Sequence, residues 1–317
     1  MGIRSALKRL FLPRPVLQLN DEAAERIAGE FMTELEKKMD MFFRRLEGEV
    51  NRLHYDMNCN AESARRFMAA MTRLNDQIIT FLYEDTEIKF YLPMATFDIL
   101  QQEIAYNASF HELDELKLLK KYLPPKPIII DAGANIGNHS IFFAKICDAE
   151  KVFAFEPQKN IARICKINID LNAADDQIVL VNAALGENCG RCALVGYEID
   201  NPGGTVFKYE SDQGKYDVVT VDSLQLEKVD FIKIDVEGCQ LEVLKGAVRT
   251  IEHCHPVIFV EMNESAQKHT EDFYDHDHEV THVRKLLSEL GYVETEKMGL
   301  NDFVFTHPAD DKHASGN

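Results

Sequence analysis

The sequence predicts an α/β fold: a largely parallel sheet wrapped by helices, preceded by an N-terminal helical extension. Three observations carry that expectation. Short apolar runs of strand length recur after position 126 and alternate with stretches of helical spacing, as strands buried on both faces require. The first of these runs, three isoleucines at 128–130, opens directly into a glycine-bearing turn, Asp131-Ala-Gly133-Ala-Asn135-Ile-Gly137. Upstream, apolar positions step by threes and fours instead.

In chain order, residues 1–18 form a basic tail in an otherwise acidic protein, with Arg4, Lys8, Arg9 and Arg14 and no carboxylate. Ile3, Leu7, Leu10 and Phe11 share one helical face, so residues 1–14 either fray in solvent or make weak peripheral contact with an anionic membrane surface. Residues 19–86 are expected to be a helical extension. Met32, Leu35, Met39, Phe42, Leu46, Val50 and Leu53 form a near-heptad, partly coiled-coil-like stripe. It packs either on a second helix over 61–83 or on another subunit, and self-association through these helices is the expectation. Residues 87–125 lead in with a strand at 88–92, a helix at 95–104 and a helix ending at Tyr122, stopped by Pro124, Pro125 and Pro127.

The domain proper is expected over 126–308. Its second strand, at 151–157, ends in Glu156, and a helix with apolar positions Ile161, Ile164, Ile167 and Leu171 follows. A third strand spans 178–186 with Asn182 near its end, followed by a surface hairpin reaching position 209. Cys189 and Cys192 in that hairpin have metal-like spacing but no second pair, so no metal or redox role is assigned. The fourth strand, within 229–238, carries Asp235 and Glu237. The fifth, within 256–264, carries Glu261 and Asn263. A histidine-rich loop with His269, His276, His278 and His282 precedes a closing hairpin at 291–308, and 309–317 read as a disordered tail.

The turn after the first strand specifies a ligand. Glycines let the backbone approach it, and the following helix offers free N–H groups. Glu156 follows Gly137 by 19 positions, near the spacing at which an acidic side chain meets a ribose diol. The pattern departs from the dinucleotide fingerprint, because Asp131 stands where it would repel a pyrophosphate. A cofactor with a cationic amino-acid end tolerates Asp131, which points to S-adenosylmethionine. The candidate cofactor-binding set is Asp131, Gly133, Asn135, Gly137, Ser140, Glu156, Asn182 and Asp235. Asn182 either reads the adenine or forms a turn.

The ordered motifs Asp131-x-Gly133-Ala-Asn-Ile-Gly137, Phe155-Glu-Pro157, Asn168 with Asn172, Ala184-Leu-Gly186, Val221-Asp-Ser-Leu224 and Ile234-Asp-Val-Glu-Gly238 resemble the FkbM family of S-adenosylmethionine-dependent methyltransferases. The resemblance runs from about position 110 to 306. It implies a Rossmann-like class I methyltransferase sheet of seven strands and O-methylation, often of sugars or secondary metabolites. With this N-terminal extension the expectation leans to a sugar hydroxyl in a glycan or glycolipid. A small secondary metabolite as acceptor, or an assembly scaffold without catalysis, are the alternatives.

Carboxyl ends of parallel strands line the ligand crevice, which brings Asp235, Glu237 and Glu261 to one edge. They position cofactor and acceptor or hold a divalent metal; positioning is favoured, since nothing in the spacing fixes a metal site. His276, His278 and His282 are candidate bases for the acceptor hydroxyl, and Asp235 is the fourth candidate catalytic residue. A formal charge of −18 argues against nucleic acid as a partner. Seven scattered cysteines, the lack of an apolar run of membrane length and the lack of a signal-peptide core lead to the expectation of a cytoplasmic protein.

Overall fold

The computed structural model describes residues 77–95, 98–194, 207–209, 214–236, 238–262, 276–299 and 301–308. The chain divides into two units, 1–65 and 66–317, and all described residues belong to the second. The basic tail, the apolar stripe, most of the helix expected over 61–83, Glu237, Asn263, His269 and the tail 309–317 lie outside the described residues.

Two strands open the described chain, β1 (Ile78–Tyr83) and β2 (Thr86–Tyr91), paired antiparallel through a two-residue turn. Glu84 and Asp85 both have positive φ, 45° and 63°, the pattern that matches strand twist in tight hairpins. Here the sequence expectation is corrected, because β1 occupies the last six positions assigned to a helix. Ile-Ile-Thr-Phe-Leu-Tyr is β-branched and aromatic, and Ile79 and Phe81 are buried while Ile78, Thr80 and Leu82 are exposed. A period of two overrides the helical period upstream.

Helices α1 (Ile99–Asn107) and α2 (Leu113–Lys120) follow, α1 capped by Asp98 Oδ1, which accepts from the Gln101 N–H at 2.8 Å. Next come β3 (Ile128–Ala132), α3 (Asn138–Lys145), β4 (Lys151–Phe155), α4 (Lys159–Leu171) and β5 (Ile178–Val181). The stretch expected as one strand over 178–186 is broken. Asn182 and Ala183 turn the chain, and β6 (Ala184–Leu185) joins a separate four-stranded sheet with β7 (Gly190–Leu194), β8 (Phe207–Tyr209) and β9 (Tyr216–Val219). Then β10 (Phe231–Ile234), α5 (Gln240–Lys245), α6 (Val248–Cys254), β11 (Val257–Glu261), α7 (His276–Glu289), β12 (Val293–Met298) and β13 (Asp302–Thr306) complete the domain.

The main sheet has seven strands, as expected, in the order β12-β13-β11-β10-β3-β4-β5. The five strands from β11 to β5 run parallel; β13 is antiparallel to both its neighbours. From β3 the chain winds outward to β5, then crosses back to β10 on the other side of β3. That reversal is a topological switch point, where open α/β sheets leave a crevice at the carboxyl ends.

Alternate strand residues feed two cores. Ile129, Phe231 and Phe259 join the face covered by the hairpin and α1 to α4, and Ile130, Ile232 and Val260 join the face covered by α5 to α7. On the first face Phe110 meets Phe81, Phe90 and Phe142 edge-on, at centroid distances of 5.4, 5.9 and 5.2 Å. The family-motif asparagines of α4 complete this attachment. Asn168 Oδ1 accepts from the Tyr91 N–H at 2.6 Å and its Nδ2 donates to the Ile136 carbonyl at 2.9 Å. Asn172 pairs with both backbone groups of Lys89, at 3.0 and 2.7 Å. The outer edge of β2 is therefore satisfied by helix side chains instead of another strand. Among the described residues no helix is long and apolar enough to cross a membrane.

Candidate active site

The turn from β3 into α3 folds as the glycines require. Gly133 has φ +82°, and a Cβ there would stand 1.8 Å from the Asp235 carbonyl oxygen, so β3 and the segment after β10 touch backbone to backbone. Gly137 has φ +91°, with Cys165 Sγ 3.0 Å from where its Cβ would be. Gly133 and Ala134 both donate to the Phe155 carbonyl, which ties the turn to the end of β4.

Asp131 is fully buried at the end of β3, with Ser140 Oγ donating to its Oδ2 at 2.5 Å. Opposite it in register on β10 stands Lys233, only 1 % exposed. Its Nζ lies 3.3 Å from Asp131 Oδ1, in ionic contact, and 2.9 Å from Asp235 Oδ2. Burial alone would lower the Lys233 pKa, but the two carboxylates hold it well above the usual lysine range. The Asp235 side chain is 34 % exposed though surrounded by protein atoms. Desolvation opposes its ionisation; the Lys233 ammonium and a hydrogen bond with Glu261 outweigh that and hold its carboxyl well below the ordinary range.

Glu156, 6 % exposed at the end of β4, accepts from the Gln158 N–H at 2.8 Å and the Asn135 N–H at 3.2 Å. Burial pushes its carboxyl up to about 7 in spite of those donors. Asn135 is itself held in the left-handed region, φ 50°, which aims its amide at Glu156. Asn182 donates its Nδ2 to the carbonyls of Glu156 and Pro157, at 2.8 and 3.0 Å. Its donor side shapes the loop that carries Glu156.

The structure thus gathers Asp131, Gly133, Asn135, Gly137, Ser140, Glu156, Asn182, Asp235 and Glu261 around the switch point. The histidines are placed differently from the sequence expectation: His276, His278 and His282 stand on a helix, α7, not in a loop, because Val280, Val283 and Leu287 recur at helical spacing and pack on the core. His276 and His278 open that helix; their side chains lie outside the described residues. His282 is partly exposed, more than a turn further along.

Sequence reasoning missed Lys233. Its signal was a lone lysine in an apolar strand, Phe231-Ile-Lys-Ile234, which only paired carboxylates make tolerable. It also missed the groups beside Asp235. Burial, then Glu115, Glu112 and Asp235, push Asp302 up to about 7, which marks an accumulation of negative charge at this edge of the sheet.

The sequence profile of the methyltransferase FkbM domain matches residues 131–294. Two curated relatives are a methyltransferase, sdnD, from Sordaria araneosa (29% identical, covering 39% of this chain and 61% of the relative) and the hexuronic acid methyltransferase AglP from Haloferax volcanii (28% identical, covering 46% and 61%). The chain therefore spans about three-fifths of the length of each. A crystal structure of methyltransferase FkbM from Methylobacillus flagellatus aligns at 18% identity with a TM-score of 0.39, covering 78% of this chain and 60% of that one. With more than half its length matched by that profile, from the Asp131 turn to the first residues of β12, the chain belongs to the FkbM methyltransferase family.

Proposed function

We propose that this chain transfers a methyl group from S-adenosylmethionine to a hydroxyl oxygen of a sugar. The observation that carries the reading is Glu156: a buried carboxylate at the end of β4, beside the glycine turn, which among the described residues accepts two backbone N–H bonds. Four lone-pair positions leave room for both hydroxyls of a ribose. The switch-point crevice and the close Gly133–Asp235 approach support the same ligand. A hexuronic acid methyltransferase among the relatives supports a sugar acceptor.

The cofactor supplies an electrophilic methyl carbon, which passes to the acceptor oxygen as its C–S bond breaks and a C–O bond forms. The protein's part is to hold donor and acceptor in line and to take the acceptor's proton. Asp235, kept ionised by Lys233, is a weak base and suits charge complementarity to a cationic amino-acid end. The base is then sought among the α7 histidines, of which His276 and His278 lie in the helix's first turn.

Calorimetry tests the cofactor step. S-Adenosylhomocysteine is expected to bind and NAD is not, and Glu156→Ala should weaken binding by about 1–3 kcal/mol. Unchanged affinity in that variant would remove the ribose assignment. Incubation with methyl-labelled cofactor and a panel of uronic acids, neutral sugars and glycolipids tests the acceptor; label appearing only in non-carbohydrate metabolites would replace the sugar.

A further inference from the structure

A cluster of ligating groups lies where the start of α2 meets the start of α3 and was not visible in the sequence. Glu112 and Glu115, three apart at the start of α2, share a helix face, and His139 projects from the first turn of α3. Nε2 of His139 lies 3.8 Å from Glu112 Oε2 and 3.9 Å from Glu115 Oε1. The three ligand atoms all fall within 4.8 Å of one another. We propose that Glu112, Glu115 and His139 form a binding site for a first-row divalent cation.

Two carboxylates alone would carry no such inference. The independent observation is His139 itself: its side chain is 7 % exposed, and among the described residues its Nε2 has no hydrogen-bond partner. A buried ring nitrogen without a partner costs free energy unless something fills its direction. Neither glutamate does so, because 3.8 Å is beyond hydrogen-bond range. A metal at ~2.1 Å from each ligand needs ligand atoms roughly 3–3.5 Å apart, so a contraction of about 1–2 Å across the widest pair, within reach of side-chain rotation in two glutamates at a helix start, completes the set. The other ring nitrogen, Nδ1, makes a long 3.5 Å hydrogen bond with Asn138 Nδ2, and ligation through Nε2 requires that this weak contact give way to the tautomer with its proton on Nδ1.

The surroundings hold these groups in place. Asn138 accepts from the His111 N–H at 3.0 Å and donates to the His111 carbonyl at 3.1 Å, clamping the start of α2 onto α3. His111 Nε2 pairs with Glu112 Oε1 at 3.2 Å, which orients the carboxylate and turns its other oxygen toward His139. An imidazole with two carboxylates suits manganese, iron or zinc better than calcium, which prefers oxygen alone. Glu112 lies close enough to Asp235 for their charges to interact, so a cation here stands at the crevice. There it would polarise an acceptor hydroxyl, a role that rests on the methyl-transfer reading, whereas binding itself does not.

The test is Mn²⁺ titration of the full chain, followed by the loss of the free-ion electron paramagnetic resonance signal. One ion per chain is expected, with Glu115→Gln and His139→Gln each weakening binding at least tenfold. S-Adenosylhomocysteine affinity should be unchanged in Glu115→Gln. If His139→Gln fails to fold, Glu112→Gln, at a more exposed position, reads the same site. No binding at millimolar Mn²⁺, or equal affinity in the glutamate variants, would overturn the proposal. Mn²⁺ binding without homocysteine-cofactor binding would leave the site standing and sink the cofactor reading instead.

Discussion

At Glu156 two requirements meet. A carboxylate that binds a ribose diol tightly must be dry, and dryness raises its affinity for a proton. With its pKa up from 4.5 to about 7, the folded chain holds more protons than the unfolded one across that interval. This group's contribution to stability is therefore complete below about pH 4.5 and is lost as pH rises through 7. At about 1.36 kcal/mol per pKa unit it is worth on the order of 3 kcal/mol. In urea melts of the ligand-free protein, stability should fall between about pH 4.5 and 7, and Glu156→Gln should flatten that slope. Affinity for S-adenosylhomocysteine should rise over the same interval, since the diol needs the ionised form. A slope identical in both proteins would show that Glu156 does not titrate there. Glu156 was legible from its spacing after the turn; Lys233 was not. A lysine in an apolar strand has no evident partner until register sets it opposite Asp131.

Among the elements, the hairpin of β1 and β2 depends on α4. Asn168 and Asn172 present their amides to an edge strand that would otherwise expose unpaired backbone groups to the core side of the helix. Asn168 also holds the Ile136 carbonyl within the glycine turn, so one side chain joins hairpin, helix and candidate cofactor site. Asn168→Ala should destabilise the protein by about 1–3 kcal/mol in urea, the cost of leaving buried groups unsatisfied. Hydrogen exchange at the Tyr91 amide should accelerate beyond that of the β10 amides. Equal protection of Tyr91 in variant and wild type would show that the strand edge is held by packing alone. The asparagines stood out in the sequence as motif positions, but their partners, 77 and 83 residues away, did not. Helix α7 is the converse case. Its apolar spacing was present in the sequence, and a run of histidines and aspartates masked it as a loop.

For the whole molecule, the apolar stripe from Met32 to Leu53 falls within the unit 1–65 and outside the described residues. Its seven apolar positions predict that the full chain self-associates. Light scattering should then exceed the monomer mass of 36.2 kDa, and Phe42→Asp with Leu46→Asp should return it to that value. A monomeric wild type would make the stripe an internal packing face. Truncating the chain as far as residue 87 is not a clean alternative, because Ile79 and Phe81 of β1 belong to the domain core.

The sequence by itself determined most strands of the main sheet and the group of side chains at its switch point. Strand runs, glycine turn and strand-end acids are local patterns, each dictated by backbone sterics or by the burial of a few consecutive residues. Tertiary structure decided the rest. The lysine between two aspartates and the grouping of Glu112, Glu115 and His139 arise from strand register and from α2 packing on α3. Lys233 and Asp131 stand 102 positions apart in the chain and His139 and Glu115 stand 24 apart, and electrostatic and hydrogen-bond energies depend on distance in space. No local period in a chain records that distance.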